Sequence, residues 1–342
     1  MNQEKSKNCR VIVDAMGGDY APRNAVIGAV QASSEFSNSE IYLVGKRNEI
    51  ENVLKTENLS FDQSRIIDAS EVIEMSDSPT SSIKAKKDSS IVIGLQNIKE
   101  GKADAFVSAG NTGACSAAST LMLGRIKGIS RPTIMASFPN QTGGFTAVAA
   151  VGAFVDSKPQ HLLDYAILSS IYIEEIFQKT APSVGLLNVG EERGKGYKLT
   201  AETFELLKNS GLNFTGNVEG NDIFKGSVDI VICDGFVGNI VLKFAESIMP
   251  FLKGLMRNYA DKSLLNKVQA GIAKGPLKAA LKNTDYQTHG GVPLLGLNAI
   301  SIIGHGSSSP LAIKNMVLRA IEMHDKNLIK KFEEAIGKYG KT

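Results

Sequence analysis

Short apolar, β-branched runs alternate with helix-spaced runs along most of this 342-residue chain. Arg10–Asp14, Ile41–Val44, Arg65–Asp68, Ala105–Ser108, Thr133–Ser137, Thr146–Val151, Ser183–Leu187, Val228–Cys233 and Ile300–Ile303 read as strands. Between and after them, Pro22–Ser34, Ser89–Glu100, Thr112–Leu123, His161–Phe177 and Leu311–Ala335 carry apolar residues at helical spacing. This alternation predicts a largely parallel sheet with helices on both faces, a three-layer α/β/α architecture. Ligands of such folds sit beyond the carboxyl ends of the strands.

Glycine-rich turns lie where those ligands would be. Val13-Asp14-Ala15-Met16-Gly17-Gly18-Asp19-Tyr20-Ala21-Pro22 and Ser108-Ala109-Gly110-Asn111-Thr112-Gly113-Ala114 each join a strand to a helix. Such turns aim backbone N–H groups outward from the positive end of a helix dipole, a geometry that binds phosphate. Asp14, Gly17, Gly18, Gly110, Asn111, Thr112 and Gly113 are therefore candidate phosphate contacts. Asp19 is a candidate cap for the first helix, and Asn111 or Thr112 for the later one. Neither stretch fits Gly-x-Gly-x-x-Gly or Gly-x-x-x-x-Gly-Lys-Ser/Thr.

Three further groups sit in similar places. Asp234-Gly235-Phe236-Val237-Gly238-Asn239 and Gly304-His305-Gly306-Ser307-Ser308 also follow strands. Asp234, Asn239 and His305 are candidates to orient phosphate or deliver a proton, and Gly235, Ser307 and Ser308 to touch its oxygens. A histidine between glycines can exchange a proton near neutrality. Lys195, between Gly194 and Gly196 in a charged loop, is a candidate to neutralise substrate charge. Lys84 and Lys86 either attract an anion or belong to a solvated charge run. All these turns are expected to share one site.

The composition narrows the function. A net charge of +3, no tryptophan and 6% aromatic residues speak against general nucleic-acid binding. Cys9, Cys115 and Cys233 form no paired framework, which suits a reducing, cytoplasmic setting. Cys115 reads as a small buried thiol rather than a nucleophile. His161, His289 and His324 show no metal-ligand spacing, so neither metal nor cofactor is expected. Met1–Arg10 is polar, without the apolar core of a signal peptide. The longest apolar run, Ala147–Val155, is far shorter than the ~20 residues of a spanning helix.

The segment Phe244–Lys282 departs from the pattern. Ile248, Phe251, Leu252, Leu255, Met256 and Tyr259 form an apolar stripe at helical spacing, with Lys253 and Arg257 beside it. From Lys253 to Lys282 there are seven basic residues and one acidic, a net +6. A basic amphipathic helix lies on anionic lipid or docks an acidic protein, unless it packs on the core or at a dimer interface. We expect one domain over residues 8–338, with 244–285 as a basic helical extension within it.

In order, the chain carries Val-Asp-Ala-Met-Gly-Gly-Asp-x-Ala-Pro at 13–22, Lys-Lys-Asp-Ser-Ser at 86–90, Ser-Ala-Gly-Asn-Thr-Gly-Ala at 108–114 and Gly-Arg-Ile-x-Gly-Ile-x-Arg-Pro at 124–132. Leu-Leu-Asn-Val-Gly-Glu-Glu at 186–192, Cys-Asp-Gly-Phe-Val-Gly-Asn at 233–239, Pro-Leu-Leu-Gly-Leu-Asn at 293–298 and Gly-His-Gly-Ser-Ser at 304–308 follow. With these eight motifs the chain, from about Val11 to Arg319, resembles the phosphate acyltransferases of bacterial phospholipid synthesis. The resemblance implies a fold shared with phosphotransacetylases and isocitrate-dehydrogenase-like enzymes, a homodimer, and peripheral association with the membrane's inner face. It also implies a reaction in which acyl carrier protein donates a fatty acyl group to inorganic phosphate. Phe154, Tyr197-Lys198, Val292, His289 and Lys84 depart from the family's usual residues.

That reaction needs neither a metal nor a covalent nucleophile. Phosphate is already anionic, and a thiol with an ordinary pKa near ~8.5 leaves readily. Holding the reactants in line supplies ~7–11 kcal/mol in favourable cases, and each oxyanion donor ~3 kcal/mol.

Overall fold

The computed structural model describes residues 8–36, 38–152, 156–280 and 290–339. Phe154, His289 and residues 281–285 of the expected extension lie outside them.

Each strand feeds two cores. Along β1 (Cys9–Asp14), Val11 and Val13 enter one core and Ile12 the other. The same alternation holds in β4 (Ala105–Ser108), where Phe106 faces away from Ala105 and Val107. It recurs in β6 (Phe145–Ala149) at Val148 and in β9 (Ile230–Ile232) at Val231. Period-two alternation with both faces apolar is what a sheet buried between two helical layers requires.

The remaining strands are β2 (Ser39–Gly45), β3 (Ile66–Asp68), β5 (Thr133–Pro139), β7 (Val184–Leu187), β8 (Phe214–Val218), β10 (Val292–Leu295) and β11 (Ile300–Ile303). Among the described residues they form one eleven-stranded sheet, in the order β3-β2-β1-β4-β11-β10-β5-β6-β9-β7-β8. Seven neighbouring pairs are parallel; β11–β10, β10–β5 and β5–β6 are antiparallel. The antiparallel join reverses direction. The half built from β3, β2, β1, β4 and β11 therefore runs opposite to the half built from β6, β9, β7 and β8.

On one face lie α1 (Arg23–Glu35), α2 (Arg47–Thr56), α6 (Pro159–Phe177), α7 (Lys198–Lys208), α11 (Pro310–Asp325) and α12 (Leu328–Tyr339). On the other lie α3 (Pro79–Ala85), α4 (Ser90–Lys99), α5 (Thr112–Leu123), α8 (Gly220–Lys225) and the first turns of α9 (Gly235–Ala260). β1 leads into α1 on the first face, and its neighbour β4 leads into α5 on the second. Likewise β7 leads into α7 and its neighbour β9 into α9, again on opposite faces. Each half thus has a topological switch point, where a crevice opens between adjacent strands.

The structure departs from the sequence reading at several elements. β8 and β10 carried no strand signal, because Gly216 and Asn217 interrupt one and Pro293 the other. α2, α3, α7 and α8 likewise have no counterpart among the helices that spacing predicts. The expected C-terminal helix is two helices, broken where Asn327 adopts φ +51°. The basic segment is the outer part of α9, followed by α10 (Leu264–Ala280).

α9 and α10 pack against each other. Tyr259 Oη donates to Gln269 Oε1 at 2.5 Å, and Asn266 Nδ2 to the Tyr259 carbonyl at 3.1 Å. Their other faces stand in solvent, with Phe251 62%, Leu264 81% and Ile272 72% exposed. By length and composition α9 is apolar enough to cross a bilayer. Its first turns, however, pack through Val237, Val241 and Leu242 against the sheet.

Candidate functional site

In the first switch-point crevice, the turns after β1, β4 and β11 touch one another. A Cβ on Gly17 would lie 2.6 Å from the Gly110 nitrogen, and one on Gly18 (φ +107°) 2.9 Å from the Gly306 oxygen. Only glycine allows that approach. The Asp19 N–H donates to the Gly306 carbonyl at 2.7 Å. Asp19 is thus a tie between turns, and α1 begins after Pro22 with no side-chain cap, contrary to the expected role.

Asp14 and Ser108 support these turns from below. Ser108 Oγ donates to Asp14 Oδ2 at 2.6 Å and accepts the Gly110 N–H at 3.0 Å. Asp14 Oδ1 accepts the Met16 N–H at 3.0 Å. Burial pushes the Asp14 carboxyl above its usual range, and hydrogen bonds from Ser108, Ser90, Met16 and Gly17 pull against it. Asp14 is buried and holds the loop, whereas the sequence reading made it a phosphate contact. Cys115 Sγ donates to Ser108 Oγ at 3.4 Å, and burial pushes that thiol up to about 12. It stays protonated, as expected of a small buried thiol.

Asn111 caps α5, its Oδ1 accepting the Ala114 N–H at 3.0 Å. Its Nδ2 donates to the carbonyls of Glu74, Met75 and Asp77 at 3.0–3.2 Å. Its amide is therefore spent on the cap and on the 74–77 loop. Thr112 and Gly113, both exposed residues, lead the helix, where N–H groups have no intrahelical acceptor. Lys86 is held by Asp77 at 2.6 Å and by the Val72 carbonyl at 2.7 Å, which commits its charge locally. Lys84 is exposed in the last turn of α3.

On the β11 turn, His305 Nδ1 accepts the Ser307 N–H at 3.1 Å and lies 2.8 Å from Ser307 Oγ. A neutral His305 ring therefore carries its proton on Nε2. Ser308 Oγ donates to the His305 carbonyl at 2.6 Å.

The second crevice lies at the carboxyl ends of β7 and β9. Asp234 caps α9, with Oδ1 accepting the Phe236 and Val237 N–H groups at 2.9 and 3.0 Å. The Tyr197 hydroxyl donates to Asp234 Oδ2 at 2.5 Å. Burial and this carboxylate both push the phenol's pKa up, so it remains a donor. Tyr197, one of the departures from the family pattern, was read only as such; its link to Asp234 spans 37 positions and carries no local signal. Gly235 is buried at the start of α9. Asn239 is exposed beside Gly152, where an added Cβ would come 2.8 Å from its Oδ1. Lys195 is exposed in the 188–197 loop, whose shape Asn188 fixes by donating from Nδ2 to the Lys195 carbonyl at 3.0 Å.

The expected single cluster is therefore two. α9 connects them: it starts at Asp234, and twelve residues on, about 18 Å along its axis, Glu246 Oε1 lies 3.8 Å from His305 Nε2. Among the described residues, Cys9, Asp104 and His324 also bring possible metal-ligand atoms within 4.8 Å of one another. These residues come from separate elements, so spacing gave no sign of their meeting. Asp104 there is committed to a two-point pair with Arg10.

Residues 9–331 match the family described as fatty acid synthesis protein. The chain belongs to that family. As a fatty acid synthesis protein it is an acyltransferase of lipid synthesis. It is 44% identical over 333 residues to the phosphate acyltransferase of Halothermothrix orenii, covering 97% of this chain and 99% of the relative. It is 46% identical over 324 residues to that of Syntrophomonas wolfei, covering 94% and 96%. The phosphotransacetylase of Streptococcus pyogenes superposes with a TM-score of 0.61 over 93% of this chain and 94% of its own, at 16% identity. This member of the fatty acid synthesis protein family thus shares the phosphotransacetylase fold.

Proposed function

We propose that the protein moves a fatty acyl group from acyl carrier protein to inorganic phosphate, releasing acyl-phosphate and free carrier protein. The observation that carries this reading is the meeting of three strand-to-helix turns at the start of α5, where Thr112 and Gly113 are exposed. Relatives named phosphate acyltransferases support it.

A phosphate oxygen attacks the thioester carbon, the C–S bond breaks, and the thiolate leaves and takes up a proton. The seat for phosphate is formed by Gly17, Gly18 and Gly110–Gly113, with Ser307 and Ser308 at its edge. His305 orients phosphate through Nε2–H. Lys195, Asp234 and Asn239 stand at the second crevice, too far along α9 to touch phosphate, and act there by shaping and holding the start of that helix. Lys84 adds positive charge near the entrance.

Residues 8–338 work as one acyltransferase unit. Within it, 244–285 forms the basic extension, whose Phe251, Leu252, Leu255 and Met256, flanked by Lys253 and Arg257, meet an anionic membrane or the carrier protein. The exposed apolar face of the α9–α10 pair supports such a contact. The protein is a cytoplasmic homodimer held peripherally at the membrane.

Incubating the purified protein with an acyl carrier protein thioester and phosphate, and trapping product with hydroxylamine, tests the reaction. Phosphate-dependent acyl hydroxamate is expected. Carrier protein that binds but stays acylated overturns the proposal.

A further inference from the structure

The second crevice contains a cavity of about 130 Å³. Its walls include Leu162 from α6, Leu186 and Leu187 from β7, and Val237 from α9, and Tyr197 and Asp234 also line it. Leu162 and Leu186 are fully buried, while Leu187 and Val237 are half-buried. The lining surface is mostly apolar, with polar groups from Asn188, Tyr197, Thr200 and Asp234, and it suits a hydrocarbon chain better than phosphate. The first crevice has the opposite character, with backbone donors and serines.

The position also fits. The cavity adjoins the start of α9, and about 18 Å along that helix Glu246 stands by His305. A hydrocarbon core two chains deep is ~30 Å thick, so one chain spans about 15 Å even when disordered, and more when extended. A chain whose carbonyl lies over the glycine turns can therefore run along α9 and end here.

We infer that this cavity receives the methyl end of the fatty acyl chain and sets the chain length the enzyme prefers, with Tyr197 fixed by Asp234 as one of its walls. The inference rests on the acyl-transfer reading above. The volume holds only the last few carbons, so it discriminates at the tip.

The test compares kcat/KM for carrier-protein thioesters of eight to sixteen carbons in the intact protein. Val237→Phe fills the cavity and is expected to cut activity on the longest chains at least tenfold, with less than a twofold change on the shortest. Leu187→Ala enlarges the cavity and is expected to move the optimum toward longer chains. If Val237→Phe does not fold, as read by circular dichroism, Leu187→Ala decides alone. An unchanged profile, or a loss equal at all lengths, as from a blocked carrier arm, overturns the inference. Wild-type protein that forms no acyl-phosphate at any length overturns the acyl-transfer reading instead.

Discussion

Ser108 Oγ donates to Asp14 Oδ2 across 2.6 Å, joining the turn after β1 to the turn after β4. Because Gly110 donates back to the same oxygen, one hydroxyl fixes both glycine turns. Ser108→Ala removes a donor from a buried carboxylate and an acceptor from a buried N–H. A loss of about 1–3 kcal/mol is expected. If the turns hold phosphate, the KM for phosphate rises while that for the acyl donor holds. Urea unfolding and initial rates measure both, and an unchanged phosphate KM would remove Ser108 from phosphate positioning.

Lys195 and Asn239 are exposed and make few structural contacts, so their loss is expected to leave the fold alone. If the second crevice takes part in turnover, Lys195→Ala and Asn239→Ala each lower acyl-phosphate formation with an unchanged melting temperature. A variant with near wild-type turnover takes that residue out of the mechanism.

Asp164, 2% exposed on α6, gives a pH signature. Burial pushes its carboxyl up to about 6, against hydrogen bonds from Gln160 and the Ser130 backbone. The unfolded group titrates near ~3.9. Between there and about 6 the folded chain binds more protons than the unfolded one, so stability from this group falls as pH rises through that window. Asp164→Asn should therefore be the more stable protein at pH 7.5, by up to ~2 kcal/mol, with the difference fading toward pH 4. Urea midpoints at the two pH values test this; a wild-type advantage at pH 7.5 would show that the carboxylate is stabilised where it sits.

Charge reversal at Lys253 and Arg257 separates lipid from carrier protein. With Lys253→Glu and Arg257→Glu, sedimentation with phosphatidylglycerol vesicles is expected to fall severalfold while a neutral-vesicle control stays flat. Unchanged vesicle binding with weaker carrier-protein binding assigns the patch to the carrier instead.

Local chemistry was readable in the sequence wherever one segment determines it. β4 and β11 lie within the residues first read as strands, and α5 spans Thr112–Leu123 as its spacing indicates. The meeting of Gly17 with Gly110 was anticipated only as a shared location, because strand order is a long-range property. The reversal between the halves was invisible, since β10 is short, contains Pro293 and pairs on one side with β5, far away in the chain. That reversal is why Asp234 and His305 stand at two crevices. Asp14, Asn111 and Lys86 carry the residue types of anion contacts, yet their side chains are spent on loop architecture. Such partners come from Ser108, the 74–77 carbonyls and Asp77, which no pattern around those residues reveals.

β11 occupies the place between β4 and β10, although it is encoded near the end of the chain. A ribosome that has released the first four strands has delivered a sheet whose β4 flank bears unpaired amides and carbonyls. α11, which packs on β1 and β4, emerges later still. The amino-terminal half thus stays unfinished through most of translation, with an open strand edge inviting other chains.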